Sequence, residues 1–109
     1  MFGLQIALEL NGELNGGSAA ELVRIVDSEI LPILRKQKGF RDETILIAPE
    51  RAEAIASTFW DTKEDAEAYE RAAYPAVLEA LTRVINRPPI VKTFEFATAT
   101  AREAAGVIA

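Results

Sequence analysis

Along the first residues Phe2, Leu4, Ile6, Leu8 and Leu10 alternate with Gly3, Gln5, Ala7 and Glu9, the period of two that predicts a strand with unequal faces. The run from Asn11 to Gly17 breaks the alternation. Beyond it Leu22, Val23, Val26, Ile30, Ile33 and Leu34 fall in one arc at about 100° per residue, with Pro32 opposite, which predicts an amphipathic helix. Ser18 and Glu21 form a capping box at its start, where hydroxyl and carboxylate satisfy orphan amides. Arg35, Lys36 and Lys38 suit the negative end of the dipole, and Gly39 can take the left-handed turn that ends a helix, with Phe40 folding back on its last turn.

Residues 43–48 and 53–60 read as strands joined through Pro49, Glu50 and Arg51, a hairpin-length link. Asp61 with Glu64 repeats the capping signature and launches a second helix, with Val77, Leu78, Leu81, Val84 and Ile85 on its apolar side and Pro75 away from it. That helix ends near Asn86, before Pro88 and Pro89, and Ile90–Ala97 reads as the last strand. A proline inside a helix removes a backbone bond and bends it, so both helices are expected to curve over a sheet.

The order is βαββαβ, an α+β ferredoxin-like arrangement: a four-stranded antiparallel sheet with two helices on one face. With 109 residues the chain fits one domain, expected over 1–97, followed by a C-terminal tail over 98–109. Bulk divides the strand positions into a large set (Phe2, Leu4, Ile6, Leu8, Ile45, Ile47, Ile55, Phe59, Phe94, Phe96) and a smaller one (Gln5, Ala7, Thr44, Leu46, Ala48, Ala54, Ala56, Thr58, Val91, Thr93). Whichever set the helices cover, the other is too apolar to leave wholly in water. A homodimer through the sheet faces would bury it.

Composition narrows the chemistry. Twelve Lys and Arg against 17 Asp and Glu leave a net charge of −5, which repels polyanions, so nucleic acid is not an expected partner. No apolar run approaches the length of a membrane span and nothing at the start reads as a secretory signal, so a cytoplasmic protein with no membrane partner is expected. There is no Cys and no His, which removes thiolate catalysis, sulfur-bound zinc, the commonest general base and the commonest metal ligand. No metal site is expected. "NGELNGG" follows a strand but lacks the spacing and the Lys of a phosphate loop, and Ser57 and Thr58 lack a His to activate them.

"LPILRKQKGF" at 31–40, "STFWDTKEDAEAY" at 57–69 and "YPAVLEAL" at 74–81 resemble the antibiotic biosynthesis monooxygenase-like proteins of the dimeric α/β-barrel superfamily, and the resemblance covers nearly the whole chain. It implies a homodimer with a small cleft in each subunit between helices and sheet. Some relatives oxidise aromatic or quinol substrates with O₂ and no metal or flavin, some degrade haem, and many have no established activity. Trp60 matches the Trp that many relatives place at the end of the third strand beside the cleft. The haem-degrading branch uses a His on the second helix and an Asn on the first strand; this chain has no His, and Gln5 is the only amide on its first strand. That argues against haem degradation. Glu70, ten residues after Trp60, is the ionisable residue nearest the missing His position.

Metal-free oxygenation needs a base that makes the substrate an electron-rich anion, a donor that steadies charge, and a dry pocket. Glu70 is the candidate base, although a carboxylate on the flank of a helical arc is ordinarily solvated. Tyr69 and Tyr74 are candidate substrate-orienting groups or packing residues with satisfied hydroxyls. Trp60 is either a flat wall for a planar ligand or a plug at the end of the core, and Arg41 is either a partner for an anionic ligand or a surface residue. Two functions follow: a cofactor-independent monooxygenase acting on a small aromatic or quinol-like molecule, with no cofactor, or a dimeric small-molecule-binding or accessory protein without turnover.

Overall fold

The computed structural model describes residues 1–11, 17–48 and 52–95. The capping side chain of Ser18, the link Pro49–Arg51, Phe96 and the tail 98–109 lie outside the described part. Strand β1 (Phe2–Glu9) leads to a helical segment, α1 (Gly17–Ile25), which passes through a π-helical turn (Val26–Ile30) into α2 (Leu31–Arg35). Then come β2 (Phe40–Ala48), β3 (Glu53–Trp60), α3 (Lys63–Ala72), α4 (Tyr74–Leu81) and β4 (Ile90–Glu95). The strands form one antiparallel sheet in the order β2-β3-β1-β4, and the helices pack on one face of it, the ferredoxin-like α+β arrangement.

Both prolines do more than bend a helix. Pro32 cannot donate to the carbonyl four residues back and its ring crowds it. Just upstream the ladder widens, and the Leu31 amide donates to the carbonyl of Val26, five residues back. At Pro75 the expected single helix is two. Ala73 leaves helical geometry (φ −121°, ψ −24°), and Pro75 sits in the first turn of α4, where a missing N–H leaves nothing unpaired. α4 ends at Leu81, short of Asn86, and turns complete the connection. The cap of α3 is also displaced from the expected Asp61 and Glu64: Thr62 is extended and its Oγ1 accepts from the Asp65 amide at 3.1 Å. Gly39 takes the left-handed conformation (φ +81°), while Phe40 opens β2 and lays its ring edge on Trp60.

The division of the sheet into faces differs from the one that bulk suggested. In register, Leu4 faces Thr58 and Thr93, and Ile6 faces Ala56 and Val91. Ala56 in turn pairs with Ile45. The helix side therefore combines the large residues of β1 and β2 with the small ones of β3 and β4. Phe59 and Phe94 flank Gly3 on the other side, the Phe59 ring filling the space above the glycine at 3.6 Å from where a Cβ would stand. Ile55 joins them, with Leu46 of β2 and Ile90 of β4. Four of these, Leu46 (67%), Ile90 (62%), Phe94 (49%) and Ile55 (38%), are exposed in the single chain.

Candidate functional site

The mixed character of the helix-facing side creates a hollow. On β3 the row Ala54, Ala56, Thr58, Trp60 is small until its last member, so the middle of the sheet cannot fill the space under the helices. A cavity of about 40 Å³ results. Its floor is Leu4 and Ile6 of β1, Glu43 and Ile45 of β2, and Ala56 and Thr58 of β3. The roof comes from Leu22 of α1, Val26 and Ile30 of the π-helical turn, and Tyr74, Val77 and Leu81 of α4, with Tyr69 and Glu70 of α3 beside them. The wide turn and the interrupted helix thus both lie in the roof.

Four aromatic rings run from the edge of the core toward this cavity. Phe40 meets Trp60 edge-on (5.6 Å, 68°), Trp60 stacks on Tyr69 (4.8 Å, 29°), and Tyr69 meets Tyr74 edge-on (6.2 Å, 64°). Trp60 is fully buried, with its Nε1 donating to Thr58 Oγ1 at 2.9 Å. Tyr69 and Tyr74 line the cavity and Trp60 stands behind Tyr69. A ligand in the cavity meets Tyr69 first, and the indole backs that ring.

Five polar side chains reach an otherwise apolar lining: Glu43, Thr58, Tyr69, Glu70 and Tyr74. Burial, then the neighbouring Tyr74 and Glu70, drives the Tyr69 hydroxyl far above the usual phenol value, and burial followed by Glu70 raises Tyr74. Both phenols therefore stay protonated and are able to donate a hydrogen bond. Among the described residues neither hydroxyl has a hydrogen-bond partner, and neither oxygen is shut off from solvent, although the Tyr69 residue is only 5% exposed. Glu43 is half-buried, and burial, then the charges of Asp42 and Asp27, raises its carboxyl above the ordinary value. The shift favours the protonated form of this carboxyl relative to a solvated one.

Of the residues singled out by sequence, the fold brings Tyr69, Glu70 and Tyr74 together around the cavity, with Trp60 one ring behind. Arg41 is elsewhere: it sits at the irregularity between Phe40 and Asp42 in β2, is exposed, and pairs with Asp61 through Nε at 2.8 Å. Glu43 was missed. The available signal was parity, since Glu43, Ile45 and Ile47 alternate on one face of the strand, so a glutamate there shares the side of two core isoleucines.

No protein-family profile and no functionally curated protein matches the sequence. Solved structures do match the fold. A monooxygenase from the gene ActVA-Orf6 of Streptomyces coelicolor, in complex with the ligand nanaomycin D, superposes with a TM-score of 0.74 at 16% identity over 90% of this chain and 88% of that one. A protein of unknown function from Nitrosomonas europaea gives 0.69 at 21% identity over 91% of each chain. SnoaB, a cofactor-independent oxygenase from Streptomyces nogalater, gives 0.64 at 12% identity over 91% of this chain and 95% of that one. The neighbours include antibiotic biosynthesis monooxygenase-like proteins, the group that the sequence resembles, and at these identities the likeness is one of fold.

Proposed function

We propose that this protein is a cofactor-independent oxygenase that uses O₂ to oxidise a small aromatic or quinol-like molecule held between the helices and the sheet. The observation that carries the reading is the meeting of two protonated phenols and two carboxyls in one largely apolar cavity. Two of the fold's neighbours support it, being described as an oxygenase that needs no cofactor and a monooxygenase with a bound nanaomycin.

In this reading Glu70 or Glu43 takes the proton of a ring hydroxyl, and Tyr69 and Tyr74 donate to the oxygen that carries the resulting charge. The electron-rich ring then reduces O₂. For a phenol becoming a quinone the substrate loses two hydrogens and gains one oxygen atom, and the second oxygen atom leaves as water, so the ring supplies every electron. The cavity at about 40 Å³ is smaller than one ring needs. Substrate entry therefore displaces the roof, and the π-helical turn and the break at Ala73 are where its backbone ladder is weakest.

The same reading has the protein working in the cytoplasm as a homodimer, its bare sheet face packed on that of a second copy. Exposed Leu46, Ile55, Ile90 and Phe94 on one face supply the apolar surface for it. The test is oxygen uptake by the purified protein offered a panel of quinols and phenols. Consumption that falls at least about tenfold in Glu70→Gln or Tyr69→Phe but not in Arg71→Gln supports catalysis. Binding without uptake would make this a carrier or accessory protein, and neither binding nor uptake would remove the function.

A further inference from the structure

The lining of the cavity has a charge character that the proposed reaction does not by itself require. Among its residues are two carboxyls and no cation. Arg41, the cation nearest in sequence to Glu43 on β2, is exposed and paired with Asp61. The two carboxyls come from opposite walls, Glu43 from the sheet and Glu70 from α3, and neither is in an ion pair among the described residues. Asp27 on the π-helical turn and Asp42 on β2 add negative potential at Glu43. Beside them Tyr69, whose ring is buried, presents a hydroxyl that has no protein partner among the described residues and stays within reach of solvent.

We propose that the cavity selects its ligand by charge: it takes an aromatic ring whose hydroxyl or protonated amine groups donate to Glu43 and Glu70, and it rejects the same ring carrying a carboxylate. This rests on the reading that the cavity is the ligand site. A donor-bearing ring replaces the water that the carboxyls lose on closure, whereas a carboxylate meets two groups of its own sign where solvent screening is weak. Tyr69 and Tyr74 then serve an oxygen of the ring as donors. Selectivity here comes from repulsion of the wrong ligand as much as from attraction of the right one.

The experiment is calorimetric titration of the whole protein, at neutral pH and low salt, with three matched probes: naphthol, naphthylmethylamine and naphthoate. Naphthol and the amine are expected to bind at least about tenfold more tightly than naphthoate. In Glu43→Gln and Glu70→Gln the gap narrows, mainly by gain of naphthoate binding and loss of amine binding. The readout is a ratio among probes within one sample, so a partly unfolded variant does not imitate it. Naphthoate binding as tightly as naphthol, a gap that both variants leave unchanged, or no binding of any probe would overturn the inference. Oxygen uptake is no part of this measurement: selective binding by a protein that consumes no O₂ leaves the inference standing and overturns only the catalytic reading.

Discussion

The indole of Trp60 stacks on the phenol ring of Tyr69, centroids 4.8 Å apart and planes inclined by 29°, which puts Tyr69 between the indole and the cavity. The two residues thus have separable roles. Trp60→Phe loses the stack and the hydrogen bond to Thr58, and is expected to cost about 1–3 kcal/mol in urea unfolding. Tyr69→Phe keeps the ring and removes a hydroxyl that has no protein partner among the described residues. It should change stability by less than about 1 kcal/mol while weakening binding of phenolic ligands several-fold.

Gly39 tests the joint between α2 and β2. Its φ of +81° disfavours any side chain, and a Cβ there would stand inside the carboxylate of Asp65. Gly39→Ala should destabilise by more than about 1 kcal/mol. Adding Asp65→Ala removes the carboxylate but leaves its Cβ only 2.7 Å from the new methyl and leaves the backbone strain, so the double variant should recover only part of the loss. Full recovery would assign the whole cost to the carboxylate.

Glu43 should make stability depend on pH. Its carboxyl is raised in the folded protein, so the native state holds a proton that the unfolded chain releases. The native contribution is fully present below the unfolded value and is lost as pH rises through the raised one. Glu43→Gln cannot ionise. The variant should therefore gain on the parent as pH climbs from acid toward neutral, modestly because Glu43 is only half-buried, and match it at the acid end. Chemical unfolding of both proteins across that range measures the difference.

The bare sheet face yields a prediction on assembly. Leu46 is 67% exposed and Phe94 49% exposed on that face. If two copies meet there, Leu46→Asp or Phe94→Asp places a charge in a buried apolar patch and should produce monomers, with a helical spectrum unchanged from the parent. Sedimentation over a dilution series reads the outcome.

Strand alternation, helix periodicity and the turn at Gly39 made the element order, and with it the sheet topology, legible in the sequence. The assignment of faces was not. Alternation says that a strand has two sides, but only pairing across β1 shows that Phe59 and Phe94 share the side of Gly3 and that Thr58 shares the side of Leu4. Bulk misleads there, because the cavity exists where small residues of β3 face large ones of β1. The helical part of the candidate site was named from the sequence on other grounds, Tyr69 and Tyr74 for their hydroxyls and Glu70 for its place ten residues after Trp60, where the resemblance puts a His. Glu43 did not, since an acid at the start of a strand reads as surface until register sets it beside Ala56 and Thr58. Nor could spacing tell that a stacked phenol would stand in front of Trp60.

Everything proposed depends on an aromatic ligand entering beneath the helices. The most direct test is an NMR experiment with the protein labelled at its methyl groups and naphthol bound, recording magnetisation transfer from the ring protons. Transfer to Val26, Ile45, Val77 and Leu81, which line the cavity, is the expected result. Transfer confined to Leu46, Ile55 and Ile90 on the opposite face of the sheet, or to no methyl at all, would contradict the account.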